Sequence, residues 1–341
     1  MAKKAKVWSG TEWVDLAAAT TDLSQYPNMT TTPISGFRNA LINGDMDIWQ
    51  RGTSGIVPTS TQPYSSDRWE SYRAGYAAGM SVYRPAGPTG ITYAARVQRD
   101  AGNTSTASMA FGQPIESINS TRFAGKNVVL SFYAREGGNF SSASSILTAQ
   151  VTYGTGNDQN YRNGFTGNTV VVSSPVTLTT SWQRFTITGN VNVAATQVGV
   201  QFSYTPFGTA KAADYFEITG VQLEEGTIAT PFEQRPIGTE LALCQRYYWR
   251  SGTSGTINDI GFPPVNSTNL AGVSPFPVTM RIAPNVQVFN GSTVNQVANV
   301  GGGTGTVSGV GGISTSSFAS LQGTGFGSLG AQFNFAVSAE L

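Results

Sequence analysis

Aromatic rings and planar polar groups occur along this sequence in a combination suited to contact with sugars. A ring can stack on the apolar face of a sugar, and an amide or guanidinium group can hydrogen-bond the hydroxyls around it. Six side chains of this kind are candidates for such a contact: Arg68, Tyr72, Tyr133, Arg135, Gln150 and Gln201. The alternative interpretation is that they are solvated or pack against a neighbouring subunit.

Two short acidic motifs offer a second kind of chemistry. The motifs NGDMD and QLEEG contain Asp45, Asp47, Glu224 and Glu225. Carboxylate oxygens are the preferred ligands of a structural Ca²⁺ ion, and a pair of carboxylates also forms the acid and base of a glycosidase. Because the sequence does not set the distance between the two motifs, a third alternative, solvated carboxylates in turns, stays open.

Composition excludes most other active-site chemistry. The chain has no histidine and a single cysteine, Cys244, so a histidine triad, an intrachain disulfide and a Cys/His zinc site within one chain are impossible. The glycine-rich stretch Gly301–Gly309 lacks the lysine of a phosphate-binding loop. We therefore predict no catalytic residues and no cofactor apart from the structural calcium considered above. Cys244 is predicted to be a small buried residue.

The charge of the chain is low and nearly balanced. Only 11% of the 341 residues are charged and 40 are glycine, which is typical of an all-β protein with many tight turns. A formal net charge of +1 gives no long-range attraction to nucleic acid or to an acidic membrane. The apolar runs are too short to span a bilayer, and MAKKAKVWSG has no hydrophobic signal core. We expect a soluble protein made in a reducing cytoplasm.

Alternating apolar and polar residues identify the elements that must position these side chains. The segments VVLSFYAR, ILTAQVTYG and QVGVQFSYT each place apolar residues on one face and polar residues on the other. Such strands without intervening helices predict a two-sheet antiparallel sandwich of the jelly-roll type over residues 36–236. Phe132, Phe202 and Tyr204 are its predicted core residues. Gly220 is predicted to form a bulge that shifts the phase of the last strand.

The first 35 residues form a separate segment. The stretch KVWSGTEWVDL predicts a small hairpin with Trp8 and Trp13 on its two strands. A segment of this size cannot bury two tryptophans by itself, so they either pack on the following domain or dock on another protein. The terminal position favours docking, and Trp8 and Trp13 are therefore the predicted attachment residues.

One short stretch, LALCQRYYWR, differs from the strands around it because helix-forming residues precede three adjacent aromatics. A short helical junction over residues 237–250 is predicted, with Thr239 as the cap of the helix. A second β domain over residues 251–341 follows, and it alternates weakly among Gly, Ser and Thr residues. The residues predicted to fill the gap between domains or between subunits are Tyr247, Tyr248 and Trp249.

Several motifs resemble bacteriophage fibre proteins that contain a carbohydrate-binding-module-like jelly roll. NALINGDMDIWQRGTS followed by YSSDRW resembles the opening of that module. FEITGVQLEEGTIATPFEQRPIGTELALCQRYYWR resembles its last strand and exit and is the most specific motif. FPVTMRIAPNV and the final SAEL resemble what such fibres carry after the module, so that the similarity covers residues 38–341.

The resemblance implies a virion structural protein. We expect an all-β fibre subunit that forms a homotrimer, joins other virion proteins through its N-terminal segment and adheres to host-surface polysaccharide without catalysis. One alternative is a capsid decoration or head-fibre protein that stabilises the shell. A glycan depolymerase is the alternative from another class, and the absence of long parallel-repeat strands and of an acidic cleft counts against it.

Overall fold

The computed structural model describes residues 6–8, 13–15, 37–59, 63–76, 78–161, 163–252 and 260–341, and for 6–8 and 13–15 the backbone alone. Strands β1 (Lys6–Trp8) and β2 (Trp13–Asp15) pair as an antiparallel hairpin, as predicted, and their register sets Trp8 opposite Trp13. The two tryptophan side chains and the remainder of the predicted attachment segment lie outside the described residues. Their docking therefore stays a prediction.

Two antiparallel five-stranded sheets form the first domain, which confirms the predicted all-β sandwich. The strands of the two sheets are β3 (Glu70–Arg73), β4 (Met80–Tyr83), β5 (Ala95–Arg99), β6 (Met109–Pro114), β7 (Asn127–Glu136), β8 (Ile146–Gly154), β9 (Thr169–Thr177), β10 (Gln183–Asn190), β11 (Gln197–Tyr204) and β12 (Tyr215–Glu225). Sheet I has the strand order β10-β7-β12-β5-β4, and sheet II has the order β3-β6-β11-β8-β9. The connections contain one short helix, α1 (Ser117–Ser120), and 3-10 turns at Ala74–Tyr76, Thr121–Phe123 and Ala143–Ser145.

The inward faces of the two sheets are apolar because every second residue of a strand points to the same side. Phe132 of sheet I and Phe202 of sheet II meet edge to face, with ring centroids 4.7 Å apart. Trp69 stacks on Phe111 at 4.8 Å. These rings and Tyr204 are buried, so the predicted core is confirmed. The burial of each phenylalanine stabilises the fold by about 1.5–3 kcal/mol.

A bulge in β12 changes which of its residues face the core. The pairing of β12 with β7 shifts between Thr219 and Gln222, and Gly220 has a φ of 58°. Glycine adopts this left-handed conformation without the steric penalty that a Cβ atom would bring. The bulge moves the core-facing positions from even to odd numbers, since Phe216 and Ile218 precede it in the core and Val221 and Leu223 follow it. The predicted phase shift at Gly220 is therefore confirmed.

The second domain is a ten-stranded antiparallel sheet arranged around its last strand. Its strands are β13 (Tyr248–Arg250), β14 (Ile260–Phe262), β15 (Pro264–Asn266), β16 (Asn269–Pro275), β17 (Asn285–Asn290), β18 (Thr293–Val294), β19 (Gln296–Asn299), β20 (Thr304–Gly311), β21 (Ser317–Thr324) and β22 (Ala331–Ser338). β22 pairs with β13, β14, β17 and β19. Phe318, Phe333 and Phe335 form its core, with ring centroids between 4.7 and 6.5 Å apart.

A helix and a strand link the two domains. Helix α2 spans Ile237–Gln245 and begins after Pro236, without a side-chain cap. Thr239 lies inside the first turn, so the prediction that it caps the helix is wrong. Tyr248–Arg250 is a strand because it pairs with β22, and the helical part of the junction is shorter than predicted. In the part of the chain that the structure describes, no helix has the length and apolarity needed to cross a membrane.

Candidate functional site

Three of the predicted ligand-binding side chains meet on the outward face of sheet II. Gln201 of β11 lies directly opposite Gln150 of β8 in the strand pairing. On its other side, the Gln201 amide donates a hydrogen bond to the hydroxyl of Tyr72 on β3. The intervening strand β6 contributes Gly112 at this level. Gln201 therefore reaches Tyr72 across a position that has no side chain.

Tyr161, which no sequence pattern singles out, extends this row at its other end. It lies in the connection between β8 and β9, and a Cβ atom added to Gly199 would come within 2.5 Å of its ring. Thr152 donates a hydrogen bond of 2.9 Å to the Tyr161 hydroxyl, which lies 3.4 Å from the side-chain oxygen of Gln150. Burial raises the pKa of Tyr161, so its hydroxyl stays protonated at neutral pH. The only signal in the sequence is one ring among polar turn residues.

We call these four residues the amide face: Tyr72, Gln150, Tyr161 and Gln201. All four are half-buried and uncharged, and two rings flank two primary amides. Each amide both donates and accepts hydrogen bonds, as does each sugar hydroxyl. The carboxylate nearest in the pairing, Glu70, is buried and accepts a hydrogen bond of 3.0 Å from Tyr64. The chemistry of the face therefore fits a neutral polyhydroxyl ligand.

Two further candidates lie on the opposite side of the sandwich. Tyr133 and Arg135 belong to β7 and face outward from sheet I. Arg135 is held there by Glu217, with 2.6 Å between its Nε and Oε2 of the carboxylate. The candidate residues therefore do not share one face of the sandwich. Alternation shows which residues of a strand point outward, but not to which sheet the strand belongs.

Arg68 lies in the interior of the protein. Its side chain is 1% exposed and donates a hydrogen bond of 3.0 Å to the carbonyl of Pro114. The guanidinium carbon lies 3.7 Å from the centre of the Tyr247 ring, and the group is ion-paired with Glu340. The prediction that Arg68 contacts a ligand is wrong, because an external molecule cannot reach it.

The four carboxylates predicted to bind calcium do not converge. Asp45 and Asp47 lie together near Glu240, whereas Glu224 is buried under Thr230 and accepts hydrogen bonds from it. Glu225 is exposed and lies 3.6 Å from the amine of Lys126. Within the described ranges, no three His, Cys, Asp or Glu side chains form a group that could hold a metal ion.

Asp45 and Asp47 are strained electrostatically. Burial, together with the charges of Asp47 and Glu240, raises the pKa of Asp45 to about 6. Burial also raises the pKa of Asp47, with Arg84 acting in the opposite direction. One oxygen of each carboxylate is buried without a hydrogen-bond partner among the described residues. Proximity of like charges in a partly desolvated site favours the protonated form of Asp45.

The three junction aromatics lie between the two domains. Tyr247 donates a hydrogen bond of 2.8 Å to Glu116 of the sandwich. Tyr248 is covered by Arg51 of the sandwich, whose guanidinium carbon is 3.5 Å from the ring centre. Trp249 packs on the second domain, with its ring centroid 5.0 Å from that of Phe335. Tyr247 thus contacts the first domain and Trp249 the second, while Tyr248 contacts both, because it also packs with Phe289 and Ala336.

A charged cluster that the sequence does not reveal joins the end of β22 to the sandwich. Glu340 pairs with Arg51 at 3.0 Å and also with Arg68. Arg281 donates hydrogen bonds of 2.8 and 2.9 Å to the carbonyls of Ala339 and Glu340. Its Nη1 pairs with Asp158 of the sandwich at 3.1 Å. The SAEL motif therefore closes the domain junction.

Comparisons with known proteins find low similarity to solved structures. No family model matches the sequence, and no curated protein matches it. Among solved structures, the enzymatically active domain of tailspike protein 4 from bacteriophage CBA120 matches 56% of this chain at 13% identity and a TM-score of 0.35. The match spans 22% of that tailspike chain.

Two carbohydrate-binding modules are similar over nearly their whole length. A family 4 module matches 54% of this chain and 98% of its own, at 19% identity and a TM-score of 0.33. A family 61 module in complex with β-1,4-galactotriose matches 55% of this chain and 99% of its own, at 14% identity and a TM-score of 0.31. TM-scores below 0.5 do not establish a shared fold.

Proposed function

We propose that this protein adheres to glycans through the amide face of sheet II. The observation that carries the proposal is the row of two rings and two amides on the outward side of one sheet, with Gln201 bonded to Tyr72. A strand framework holds each amide in one orientation, which reduces the entropy lost when a ligand binds. The face has no ionised side chain, so its ligand is a neutral sugar.

Substitution of one amide tests this proposal. Gln201→Ala removes the central donor and acceptor, and we expect the dissociation constant for purified host-surface polysaccharide to rise by about tenfold in calorimetric titration. Gln183→Ala, which removes an exposed amide at the edge of sheet I, is the matched control and should change affinity by less than about twofold. Equal losses in the two variants would contradict the role of the amide face.

We further propose that the chain is a virion protein, a phage fibre subunit that attaches through Trp8 and Trp13. The sequence motifs that resemble phage fibres support this assignment. A variant that lacks residues 1–35 should fold but fail to join particles. Negative-stain images of particles labelled with an antibody to this chain then show where the chain lies on the particle. Labels distributed over the capsid, and not along a fibre, would indicate a decoration protein.

We propose that the protein does not cleave its ligand. Of the carboxylates that suggested a glycosidase pair, Glu224 is engaged by Thr230 and Glu225 by Lys126, and only Asp45 and Asp47 lie close together. Retaining and inverting glycosidases both need two carboxyl groups across one sugar bond. Incubation with the polysaccharide should therefore release no reducing ends. A linear increase of reducing ends with protein concentration would identify a depolymerase instead.

A further inference from the structure

The outward face of sheet I carries a row of charged and aromatic side chains that is separate from the amide face. In the strand pairing, Glu217 of β12 lies between Arg96 of β5 and Arg135 of β7. Its carboxylate accepts a hydrogen bond of 2.8 Å from Nε of Arg96 and one of 2.6 Å from Nε of Arg135. One carboxylate thus fixes two guanidinium groups on adjacent strands.

Aromatic rings support the two guanidinium groups. The guanidinium carbon of Arg96 is 4.0 Å from the ring centre of Tyr215, and that of Arg135 is 4.9 Å from the ring centre of Trp182. Tyr83 of β4 is paired with Arg96 at the edge of the sheet. We call these residues the arginine row: Tyr83, Arg96, Glu217, Arg135, Trp182 and Tyr215. Five strands at the usual spacing give the row a length of about 19 Å.

The charges in the arginine row do not cancel. Two guanidinium groups share one carboxylate, which leaves a net charge of +1. The side chains of Arg96 and Arg135 are 29% and 31% exposed, whereas that of Glu217 is fully buried. Within the described ranges, Nη1 of Arg96 and both Nη atoms of Arg135 have no hydrogen-bond partner. These N–H donors remain for a ligand, since guanidinium has five donors and no acceptor.

A structural role alone accounts for only part of this arrangement. One arginine is enough to neutralise the charge of the buried Glu217, so neutralisation accounts for only one of the two ion pairs. The second arginine adds an uncompensated positive charge. The two Nη atoms of Arg135 that have no partner offer the fork with which one guanidinium group recognises a carboxylate through two parallel N–H···O bonds, and Nη1 of Arg96 adds a donor on the other side of Glu217.

We propose that the arginine row is a second binding site, which takes a carboxylate-bearing polysaccharide. The sugar carboxylate would lie against the free Nη atoms of Arg96 and Arg135, and neighbouring sugar rings would lie toward Tyr83 and Trp182. The site goes beyond the neutral glycan proposed for the amide face, and it does not depend on that face because the two lie on opposite sheets. The protein would therefore hold an acidic and a neutral glycan segment at once.

Calorimetric titration with oligogalacturonate and with its methyl ester tests the proposal. The two probes have the same sugar backbone, and esterification replaces each charged carboxylate with a neutral methyl ester. We expect the full chain to bind the acid at least about tenfold more tightly than the ester, with an affinity that falls as salt rises. Equal binding of acid and ester overturns the proposal. If inorganic phosphate displaces oligogalacturonate at equal concentration, the site does not select a carboxylate and the assignment is overturned.

Variants at Arg135 locate the site. Arg135→Gln should weaken oligogalacturonate binding by about tenfold. Lys126→Gln removes the same charge from an exposed residue at the other end of β7 and should change the affinity by less than about twofold. Equal losses in the two variants would show that binding follows net charge, which overturns the site.

Two further measurements separate this site from folding effects and from the amide face. Arg135→Lys keeps the positive charge but loses the planar fork, and it should also weaken binding by about tenfold while leaving thermal unfolding close to that of the wild type. Full binding by Arg135→Lys overturns recognition by the guanidinium plane. Gln201→Ala should keep full affinity for oligogalacturonate, so the failure of either site is visible independently of the other.

Discussion

At the scale of single residues, the closure of the domain junction depends on charge. Arg51 and Arg68 belong to the sandwich and are buried, with side chains 3% and 1% exposed. A buried guanidinium group without a counter-ion costs several kcal/mol. Glu340 supplies a negative charge to both guanidinium groups. A second carboxylate, that of Asp67, lies 3.7 Å from Arg51. The second domain is therefore held to the first by a charge that the first domain needs.

Glu340→Gln tests this dependence. The substitution leaves two buried guanidinium groups without their shared carboxylate, and we expect the free energy of unfolding to fall by about 3–5 kcal/mol in urea denaturation. Glu225→Gln removes an exposed carboxylate that pairs with Lys126, and its effect should stay below about 1 kcal/mol. Similar losses in the two variants would show that Glu340 contributes no more than a surface ion pair.

The raised pKa of Asp45 predicts a pH dependence. The folded chain holds this proton up to about pH 6 and the unfolded chain only to about pH 4, so stability falls as pH rises through that interval. Asp45→Asn removes this contribution and should stabilise the protein at pH 7.5 by on the order of 2 kcal/mol, but not at pH 4. Thermal or urea unfolding at the two pH values measures the difference. A gain of equal size at both would rule out the ionisation of Asp45 as its cause.

At the scale of elements, the bulge in β12 depends on one glycine. A Cβ atom on Gly220 would lie 2.8 Å from Ile91 and 2.9 Å from the Tyr133 ring, at a φ of 58°. Gly220→Ala should therefore lower the unfolding free energy by about 1–3 kcal/mol. Gly138→Ala is the control, because a Cβ atom there meets nothing within 4 Å. A neutral Gly220→Ala variant would mean that β12 keeps its phase without glycine.

Local patterns specify the strands of this protein, but not the sheets that they enter. Phe132 and Phe202 are recognisable as core residues because alternation depends only on neighbours in sequence. Local periodicity does not encode the long-range pairing of strands. It therefore cannot show that Gln201, and not Tyr133, shares a face with Tyr72. Tyr161 lies in a loop, where no period exists at all. Arg68 is misassigned for a different reason, since a charged residue predicts exposure unless its distant partner Glu340 is known.

A substitution in the junction strand β13 tests how the two domains are linked. Trp249 is half-buried against the second domain, so Trp249→Ala should destabilise that domain by about 2 kcal/mol, less than a fully buried tryptophan would. Limited proteolysis should then digest the second domain and leave an intact sandwich that ends near residue 250. Ile237→Ala alters an exposed residue of α2 and should not change the pattern. Simultaneous loss of the sandwich would place Trp249 in the core of the first domain.

At the scale of the whole molecule, the second domain presents apolar side chains to solvent. Val265, Val273 and Leu329 are among its large apolar residues that are exposed. We expect these residues to lie at the contacts of a homotrimer, since homo-oligomers usually close around an axis.

Light scattering measures the assembly directly. The expected mass is about three times the 35.9 kDa of the chain. Val273→Lys should lower it, because a lysine amine is costly to bury at an apolar contact. Val193→Lys changes an equally exposed residue of the sandwich and should leave the mass unchanged. A single-chain mass for the wild type at micromolar concentration would contradict the trimer.

The pairing of Arg68 with Glu340 also sets a time scale during synthesis. The two residues are 272 positions apart, and ribosomes add about 5–20 residues per second, so Glu340 emerges roughly 14–54 s after Arg68. The sandwich has all of its strands once Glu225 has been added, and for the 115 residues that follow, roughly 6–23 s, it lacks the carboxylate that pairs with the buried Arg68. The first domain can therefore fold as it emerges, but it reaches its full stability only after the second domain has been synthesised.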